Sequence, residues 1–141
     1  MAFRASIRVR FSDIDNAGIV YYPRFAHYFH LAMEEFFGAV LKIDYADALH
    51  KRKVSFPTVH LEADFRSRLR YGDTIDMEVK VVKIGNSSIT WGYKGFNRNN
   101  GKVVVEGNNT TVCVNTETFE KLEVPEWLRR GLLKYMEQCK D

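Results

Sequence analysis

The chain has 141 residues, of which 45% are hydrophobic and 13% aromatic, and its formal net charge is +3 at pH 7. This length is typical of one domain, which we expect to span residues 1–141, and the hydrophobic share excludes a disordered chain. So small a net charge gives no ground for expecting a nucleic-acid partner. Two cysteines, Cys113 and Cys139, lack the spacing of zinc ligands or of a disulfide framework.

Membrane and export signals are absent from the sequence. No apolar run reaches the length of a membrane span, and the first ten residues, MAFRASIRVR, carry too many arginines for a secretory signal. We therefore expect a soluble, cytoplasmic protein without a membrane partner.

The first half of the chain predicts a strand, a long helix and a short helix. Residues 3–12 alternate strictly, which is typical of a half-buried strand, and the residues of its apolar face are Phe3, Ala5, Ile7, Val9 and Phe11. From Pro23 to about Leu41 apolar residues recur every three or four positions, which predicts a helix with an apolar stripe. A short helix is predicted over residues 44–52, with Asp44 as its N-cap.

Four more strands and a last helix follow. The strands are predicted over residues 54–66, 73–84, 88–97 and 102–115, with turns rich in Gly and Asn at 85–87 and 97–101. Gly95 and Gly107 interrupt strand patterns, which indicates a bulge or a close backbone approach. An amphipathic helix begins after Pro125. The order predicts an α+β fold in which a five-stranded antiparallel sheet wraps around the long helix, with a C-terminal helix beside it.

The segment FSDIDNAGIVYYPRF, residues 11–25, contains two aspartates, a glycine, a tyrosine pair and a proline, which are more special residues than a turn needs. Its Asp-x-Asp-x-x-Gly spacing imitates the start of a calcium loop, but Ala17 and Arg24 occupy positions where such a loop needs oxygen ligands. Nor does the segment contain a phosphate-binding Gly-Lys-Ser/Thr. His27 and His30 lie three residues apart without a nearby third ligand, so we expect no metal site.

What remains is a carboxylate, Asp15, close to the start of a helix. The first N–H groups of a helix have no internal partner and stabilise negative charge, including a developing oxyanion. A compact turn would bring Asp15 near that helix start, where it would act as a catalytic carboxylate. The alternative is that Asp13 and Asp15 only cap the turn, a common role for aspartate.

The same segment is similar to the hotdog-fold acyl-CoA thioesterases of the 4-hydroxybenzoyl-CoA thioesterase type. Their motif has the form F-x-D-x-D-x-x-G-[IV]-V-[YFW]-[YF]-x-x-[FY], and the chain matches it at every position. The matching residues are Phe11, Asp13, Asp15, Gly18, Ile19, Val20, Tyr21, Tyr22 and Phe25. The resemblance extends over nearly the whole chain, and it implies a hotdog fold in which the sheet curls around the central helix.

The resemblance also implies roles for particular residues. Asp15 is expected to be the catalytic carboxylate, the backbone N–H of Tyr22 the oxyanion donor, and Gly18 the residue that lets the turn approach the substrate. The expected substrate is an acyl-CoA, with no cofactor, and the expected assembly is a homodimer or homotetramer with active sites between subunits. The wall of the acyl pocket is expected from a partner's Pro57, Thr58, Val59 and His60.

The resemblance implies further substrate contacts, although at some of these positions this chain has other residues than the 4-hydroxybenzoyl enzyme. The motif residues Tyr21 and Pro23 flank the oxyanion donor. His30 stands where the 4-hydroxybenzoyl enzyme has an acidic residue, so specificity for that acyl group is not implied. In place of the basic residues that meet the CoA phosphates in that enzyme, this chain has Lys83, Ser87 and Ser88. Further candidates for phosphate binding are Arg66, Arg68, Arg70 and the run 51–53.

Three functions compete at this point. The first is acyl-CoA hydrolysis, with Asp15 either attacking the thioester directly or acting as general base for water. The second is a hotdog hydratase or dehydratase, whose histidine motifs the region around His27 and His30 does not resemble. The third is a non-catalytic acyl-CoA-binding module. Glu34 and Glu35 on the helix are interpreted as interfacial or solvent-facing.

Overall fold

Three α-helices and seven strands form in residues 2–140, the part of the chain that the computed structural model describes. The helices are α1 (Arg24–Phe36), α2 (Tyr45–His50) and α3 (Glu126–Gln138). The strands are β1 (Phe3–Arg8), β2 (Val54–Ser55), β3 (Thr58–Phe65), β4 (Thr74–Ile84), β5 (Ser88–Asn97), β6 (Val103–Val112) and β7 (Val114–Asn115). No helix in this part of the chain has the length and apolarity needed to cross a bilayer.

The main sheet has five strands in the order β1-β4-β5-β6-β3, and every neighbouring pair is antiparallel. Strands β2 and β7 form a separate two-stranded sheet. Helix α1 packs against the main sheet, which confirms the predicted α+β architecture. Strands β1 and β3 lie at the two edges.

The apolar stripe of α1 forms the centre of the core. Its six buried residues are Phe25, Tyr28, Phe29, Ala32, Met33 and Phe36. Phe29 stacks on Tyr93 of β5 with ring centroids 4.5 Å apart, and Phe36 meets Trp91 edge to face. The helical period read from the sequence therefore identified the face that the sheet covers.

The first strand is shorter than predicted. It ends at Arg8, and residues Phe11–Asp13 form a single 3₁₀ turn. Phe11 was expected on the buried face, but it is 73% exposed and contacts Tyr71 edge to face. The prediction was wrong because the chain turns away from the sheet after the Val9 N–H donates to the Asp73 carbonyl (2.9 Å).

Two predicted strands are each split in two. The run 54–66 breaks at Pro57, which has no N–H for a ladder, although its carbonyl accepts from the Val112 N–H (3.0 Å). The run 102–115 breaks at Cys113, whose N–H donates to the Ser87 carbonyl (2.8 Å) instead of to a strand. The short ends on the far sides of these breaks, β2 and β7, pair with each other.

The long helix reaches Leu41 as predicted, but its last turn is not α-helical. Residues Phe37–Leu41 form a π turn, which ends at Lys42 in the left-handed region (φ 60°). Phe36 and Phe37 are adjacent and both fully buried. Phe36 packs on Trp91 and Tyr135, whereas Phe37 also reaches Tyr45 of α2.

Several local predictions are confirmed. Asp44 caps α2 by accepting a hydrogen bond from the Ala46 N–H (3.3 Å). Gly95 and Gly107 mark close approaches: a Cβ at Gly95 would lie 2.5 Å from Ile75 Cδ1, and one at Gly107 would collide with the backbone of β3. A one-residue shift in register follows Gly95.

Candidate active site

Residues 13–21 form a tight hairpin between β1 and α1. The Tyr21 N–H donates to the Asp13 carbonyl (2.9 Å), and the Asp15 N–H donates to the Ile19 carbonyl (3.0 Å). Gly18 turns the chain with φ +78°, a conformation that side-chain-bearing residues rarely adopt. A Cβ on Gly18 would meet nothing within 4 Å, so within this chain the glycine serves backbone conformation and not close packing.

The Asp15 carboxylate lies exposed at the turn of this hairpin. Its Oδ1 accepts a hydrogen bond from the Ala17 N–H (2.9 Å), which is a local Asx turn. Its Oδ2 has no hydrogen-bond partner in residues 2–140. The turn-capping role is therefore present, and it leaves half of the carboxylate open to a ligand.

A backbone donor is available where α1 begins. The N–H groups of Arg24 and Phe25 already donate to the carbonyls of Tyr21 and Tyr22, and Pro23 has no N–H. The Tyr22 N–H, in contrast, has no acceptor within the described residues. An unpaired N–H at a helix start fits the predicted oxyanion donor. The side chains of Tyr21 and Tyr22 are exposed and contact each other (5.4 Å between ring centroids).

Asp13 has a larger role than the turn-shaping expected from the sequence. It is 6% exposed, and its Oδ2 accepts hydrogen bonds from the Arg10 N–H (2.9 Å) and the Tyr28 hydroxyl (2.8 Å). Arg24 Nε lies 3.8 Å from Oδ1. Burial, and then the bond to Asp13, raise the pKa of Tyr28 well above its ordinary value. Asp13 thus ties the hairpin to α1.

The sequence carried one signal for this role. Tyr28 belongs to the apolar stripe of α1, and a buried tyrosine hydroxyl needs a partner. Which residue supplies that partner depends on the path of the chain after β1, and no local pattern encodes it.

An apolar pocket of about 300 Å³ lies beside the hairpin. Tyr22 and Phe25 form one side, and Phe65 at the end of β3 forms another, with centroid distances of 6.2 Å to Tyr22 and 5.3 Å to Phe25. The sequence placed Phe65 on a strand but not in the site. Its only signal was membership of an apolar face.

Most of the other predicted contacts lie at the opposite end of the sheet. Strand β4 runs from Thr74, beside Arg8, to Ile84, a distance of about 33 Å for its 11 residues. The residues at the Ile84 end are Pro57, Thr58, Val59, His60, Lys83, Ser87 and Ser88. One chain therefore does not bring them to Asp15, and they reach such a site only from a second subunit.

His30 faces a different neighbourhood from the apolar pocket. It is exposed, its Nε2 lies 3.4 Å from Glu34 Oε2, and its ring meets Tyr45 edge to face. Burial, with the Glu34 charge, raises the pKa of Tyr45 to about 12. Glu35 is exposed to solvent. No group of three metal-ligating side chains occurs in residues 2–140.

Comparison with known proteins places the chain in a family. Residues 9–132 match the family model described as the thioesterase-like superfamily, and the chain belongs to that superfamily. This match and the fold confirm the predicted hotdog thioesterase family.

Curated relatives and solved structures resemble the chain along most of its length. It is 31% identical, over 90% of each chain, to a 1,4-dihydroxy-2-naphthoyl-CoA hydrolase of Prochlorococcus marinus. It is 29% identical to the hydrolase of that name from Crocosphaera subtropica, over 86% of this chain and 91% of the relative. A 1,4-dihydroxy-2-naphthoyl-CoA thioesterase structure from Synechocystis superposes with a TM-score of 0.84, at 18% identity, over 94% of this chain and 96% of that one.

Proposed function

We propose that the protein hydrolyses an acyl-CoA thioester to a free acid and CoA, using Asp15 and the Tyr22 N–H. One observation carries the proposal. A single hairpin holds the Asp15 carboxylate, of which only Oδ1 accepts a hydrogen bond from residues 2–140, and it leads into a helix start with an unpaired N–H. Membership of the thioesterase-like superfamily supports the reaction class. Cys113 is buried and forms no disulfide, which suits a reducing compartment such as the cytoplasm.

The chemistry needs few protein groups. The Tyr22 N–H stabilises the oxyanion that forms on the thioester carbonyl. Asp15 either attacks that carbonyl, giving a mixed anhydride that water hydrolyses, or removes a proton from an attacking water. The sulfur leaves as a thiolate, whose conjugate acid has a pKa of about 8.5 by analogy with cysteine, so no strong general acid is required.

An aromatic acyl group is the first substrate to test. The pocket beside the hairpin is lined by the rings of Tyr22, Phe25 and Phe65, which favour stacked or edge-to-face contacts with another ring. Its volume of about 300 Å³ suits a small acyl group. The relatives are named for a dihydroxynaphthoyl thioester, which makes that compound the leading candidate.

The complete site is expected to need two subunits. Strand β3 has one unpaired edge and is exposed along nearly all of its length, including Val59 (63%) and Leu61 (47%). Such an edge invites pairing with another strand. If two copies of β3 pair antiparallel about a two-fold axis, the start of one strand faces the end of the other. A partner's residues 57–60 would then lie beside Phe65 and the apolar pocket.

Substitution of Asp15 tests the proposal. Asp15→Asn keeps an oxygen for the Ala17 N–H, so the fold is retained, while kcat/KM falls by about 10²–10⁴. Hydrolysis is followed by release of the CoA thiol from a panel of aromatic and aliphatic acyl-CoAs. The control is Asp47→Asn, which removes a carboxylate that pairs with Lys51 on the surface of α2.

Two results would contradict the proposal. Full activity in Asp15→Asn removes this carboxylate from the mechanism. A wild-type protein that hydrolyses no acyl-CoA of the panel is not a thioesterase for that class of substrate.

A further inference from the structure

Three cations that line one cleft, Arg68, Arg70 and Lys102, form no ion pair with any of residues 2–140. We propose that they bind the phosphate groups at the nucleotide end of CoA. This inference rests on the proposed function, because it assigns a second part of the same substrate. We refer to these three residues as the cation cluster.

The cation cluster lines a cleft of about 510 Å³. Asp73 is the only carboxylate among the described residues that line it, and that carboxylate is already satisfied by neutral donors. Its Oδ2 accepts from the Arg70 backbone N–H (2.9 Å) and from Asn97 Nδ2 (3.3 Å), and its Oδ1 accepts from Asn99 Nδ2 (2.8 Å). The guanidinium and ammonium groups are left available, so the cleft attracts anions.

The cleft adjoins the apolar pocket of the candidate active site. Ser67 and Arg68 line both cavities. The segment that carries them is bonded to the hairpin, since the Val20 N–H donates to the Leu69 carbonyl (2.8 Å) and Ile19 pairs with Arg70. A substrate with its thioester at Asp15 therefore has a route along this segment to the cation cluster.

The other basic candidates from the sequence are engaged elsewhere. Arg66 pairs with Glu106 (3.2 Å) and with Asp64 (3.6 Å). In the run 51–53 each side chain has a partner: Lys51 pairs with Asp47, Arg52 lies over the ring of Trp127, and Lys53 pairs with Glu117. Lys83 belongs to the far end of β4. Arg10 also lacks an ion pair within residues 2–140 and is bonded to the hairpin, but it lines a different cavity, together with Glu34 and Glu35. The cation cluster is thus the set that combines unpaired charge with a cleft adjoining the apolar pocket.

Phosphate is the anion that suits these groups. Arginine presents a planar fork of donors that binds phosphate oxygens in pairs, and lysine adds a compact charge. Asn99 and Asn100 line the same cleft and offer neutral side chains at its rim. The pyrophosphate and the ribose phosphate of CoA carry several negative charges. Three cations therefore suit this part of CoA better than they suit an anion with a single charge, such as a carboxylate.

A double substitution tests the assignment. Arg70→Gln and Lys102→Gln, which leave Arg68 and the wall of the apolar pocket in place, are expected together to raise KM for the acyl-CoA by about tenfold with kcat retained. The same acyl group on N-acetylcysteamine, which has no phosphate, is expected to react equally well with both proteins. The control removes two cations outside the cleft, by Lys121→Gln and Lys134→Gln.

A binding measurement separates this inference from the proposed function. Adenosine 3′,5′-bisphosphate, titrated calorimetrically, is expected to bind the wild type and the control, and to bind the double variant about tenfold more weakly. That result supports the cation cluster even if no thioester is hydrolysed. The inference is overturned if the double variant binds the bisphosphate as well as the wild type, or if both thioesters lose activity equally.

Discussion

The two aspartates of the hairpin, two residues apart, have opposite surroundings. Asp13 is buried and holds two hydrogen bonds on one oxygen, whereas Asp15 is exposed and has one local donor. A carboxylate whose lone pairs are already used by the protein is a poor nucleophile or base. Asp13 therefore positions the hairpin, and Asp15 is the carboxylate that we propose to react.

Substitution of Asp13 is expected to cost stability. In Asp13→Asn the remaining oxygen keeps the place of the acceptor for the Arg10 N–H and the Tyr28 hydroxyl, but both hydrogen bonds lose the negative charge that strengthens them. The amide NH2 then faces the Arg24 guanidinium. The free energy of unfolding should fall by about 1–3 kcal/mol. Urea unfolding at neutral pH measures it. Asp15→Asn serves as the matched control with an unchanged midpoint, and an Asp13→Asn protein as stable as the wild type would contradict the assignment.

The motif pointed to the proposed reacting groups, Asp15 and the Tyr22 N–H, but not to the residues that support them. The spacing from Asp15 to Tyr22 is local, so the sequence alone indicated both. The bond from Tyr28 to Asp13 and the place of Phe65 depend on how α1 and β3 meet the hairpin. Contacts between residues so far apart in the chain leave no signature in a short window.

Among the elements, the hairpin depends on the backbone conformation of one residue. Gly18 adopts φ +78° in open space, so an added methyl group meets no neighbour and acts only through backbone strain. Gly18→Ala is expected to lower the free energy of unfolding by about 1–2 kcal/mol, and to lower kcat by displacing Asp15.

The matched control is Gly38→Ala in the π turn. Gly38 also has open space for a Cβ but has no positive φ, so alanine there is expected to be neutral or stabilising. Both variants are compared by urea unfolding and by acyl-CoA hydrolysis. If Gly18→Ala is as stable as Gly38→Ala, the positive φ at Gly18 does not strain an alanine and the prediction is wrong.

Element types followed from periodicity, whereas several element ends did not. Alternation continued to Phe11, but β1 stops at Arg8 because its next backbone partners lie in the 72–73 turn. The break at Pro57 had a visible cause, since proline lacks a ladder donor. The break at Cys113 had none, because it follows from a bond to the β4–β5 turn.

For the molecule as a whole, the unpaired edge of β3 predicts association. A charge placed on this edge should prevent two strands from pairing. Val59→Glu with Leu61→Glu is expected to convert a dimer or larger assembly into a 16.4 kDa species in sedimentation, with loss of hydrolysis. Val82→Glu, at an exposed position on β4, is the control and should leave the assembly unchanged. A wild type that already sediments at 16.4 kDa contradicts the shared site.

Pairing at this edge, as proposed, would account for the distance between the two groups of predicted site residues within one chain. The α+β fold and the long helix were predictable because each element carries its own period. His60 is five residues from Phe65 along β3, or about 17 Å, and Lys83 is nine residues from Thr74 along β4, or about 30 Å. A pattern within one chain does not tell which distant segments a second copy would bring together.

The π turn at Phe37–Leu41 has a consequence for how this chain can change in evolution. A π turn holds one residue more than the α-helical turn it replaces, and an α-helix rotates by about 100° per residue. Loss of one residue here would restore a regular helix. The chain that follows, including α2, would then be rotated about the axis of α1, and Tyr45 would no longer contact Phe37. Homologous sequences that keep both phenylalanines should therefore tolerate gaps on either side of residues 37–41 but not within them.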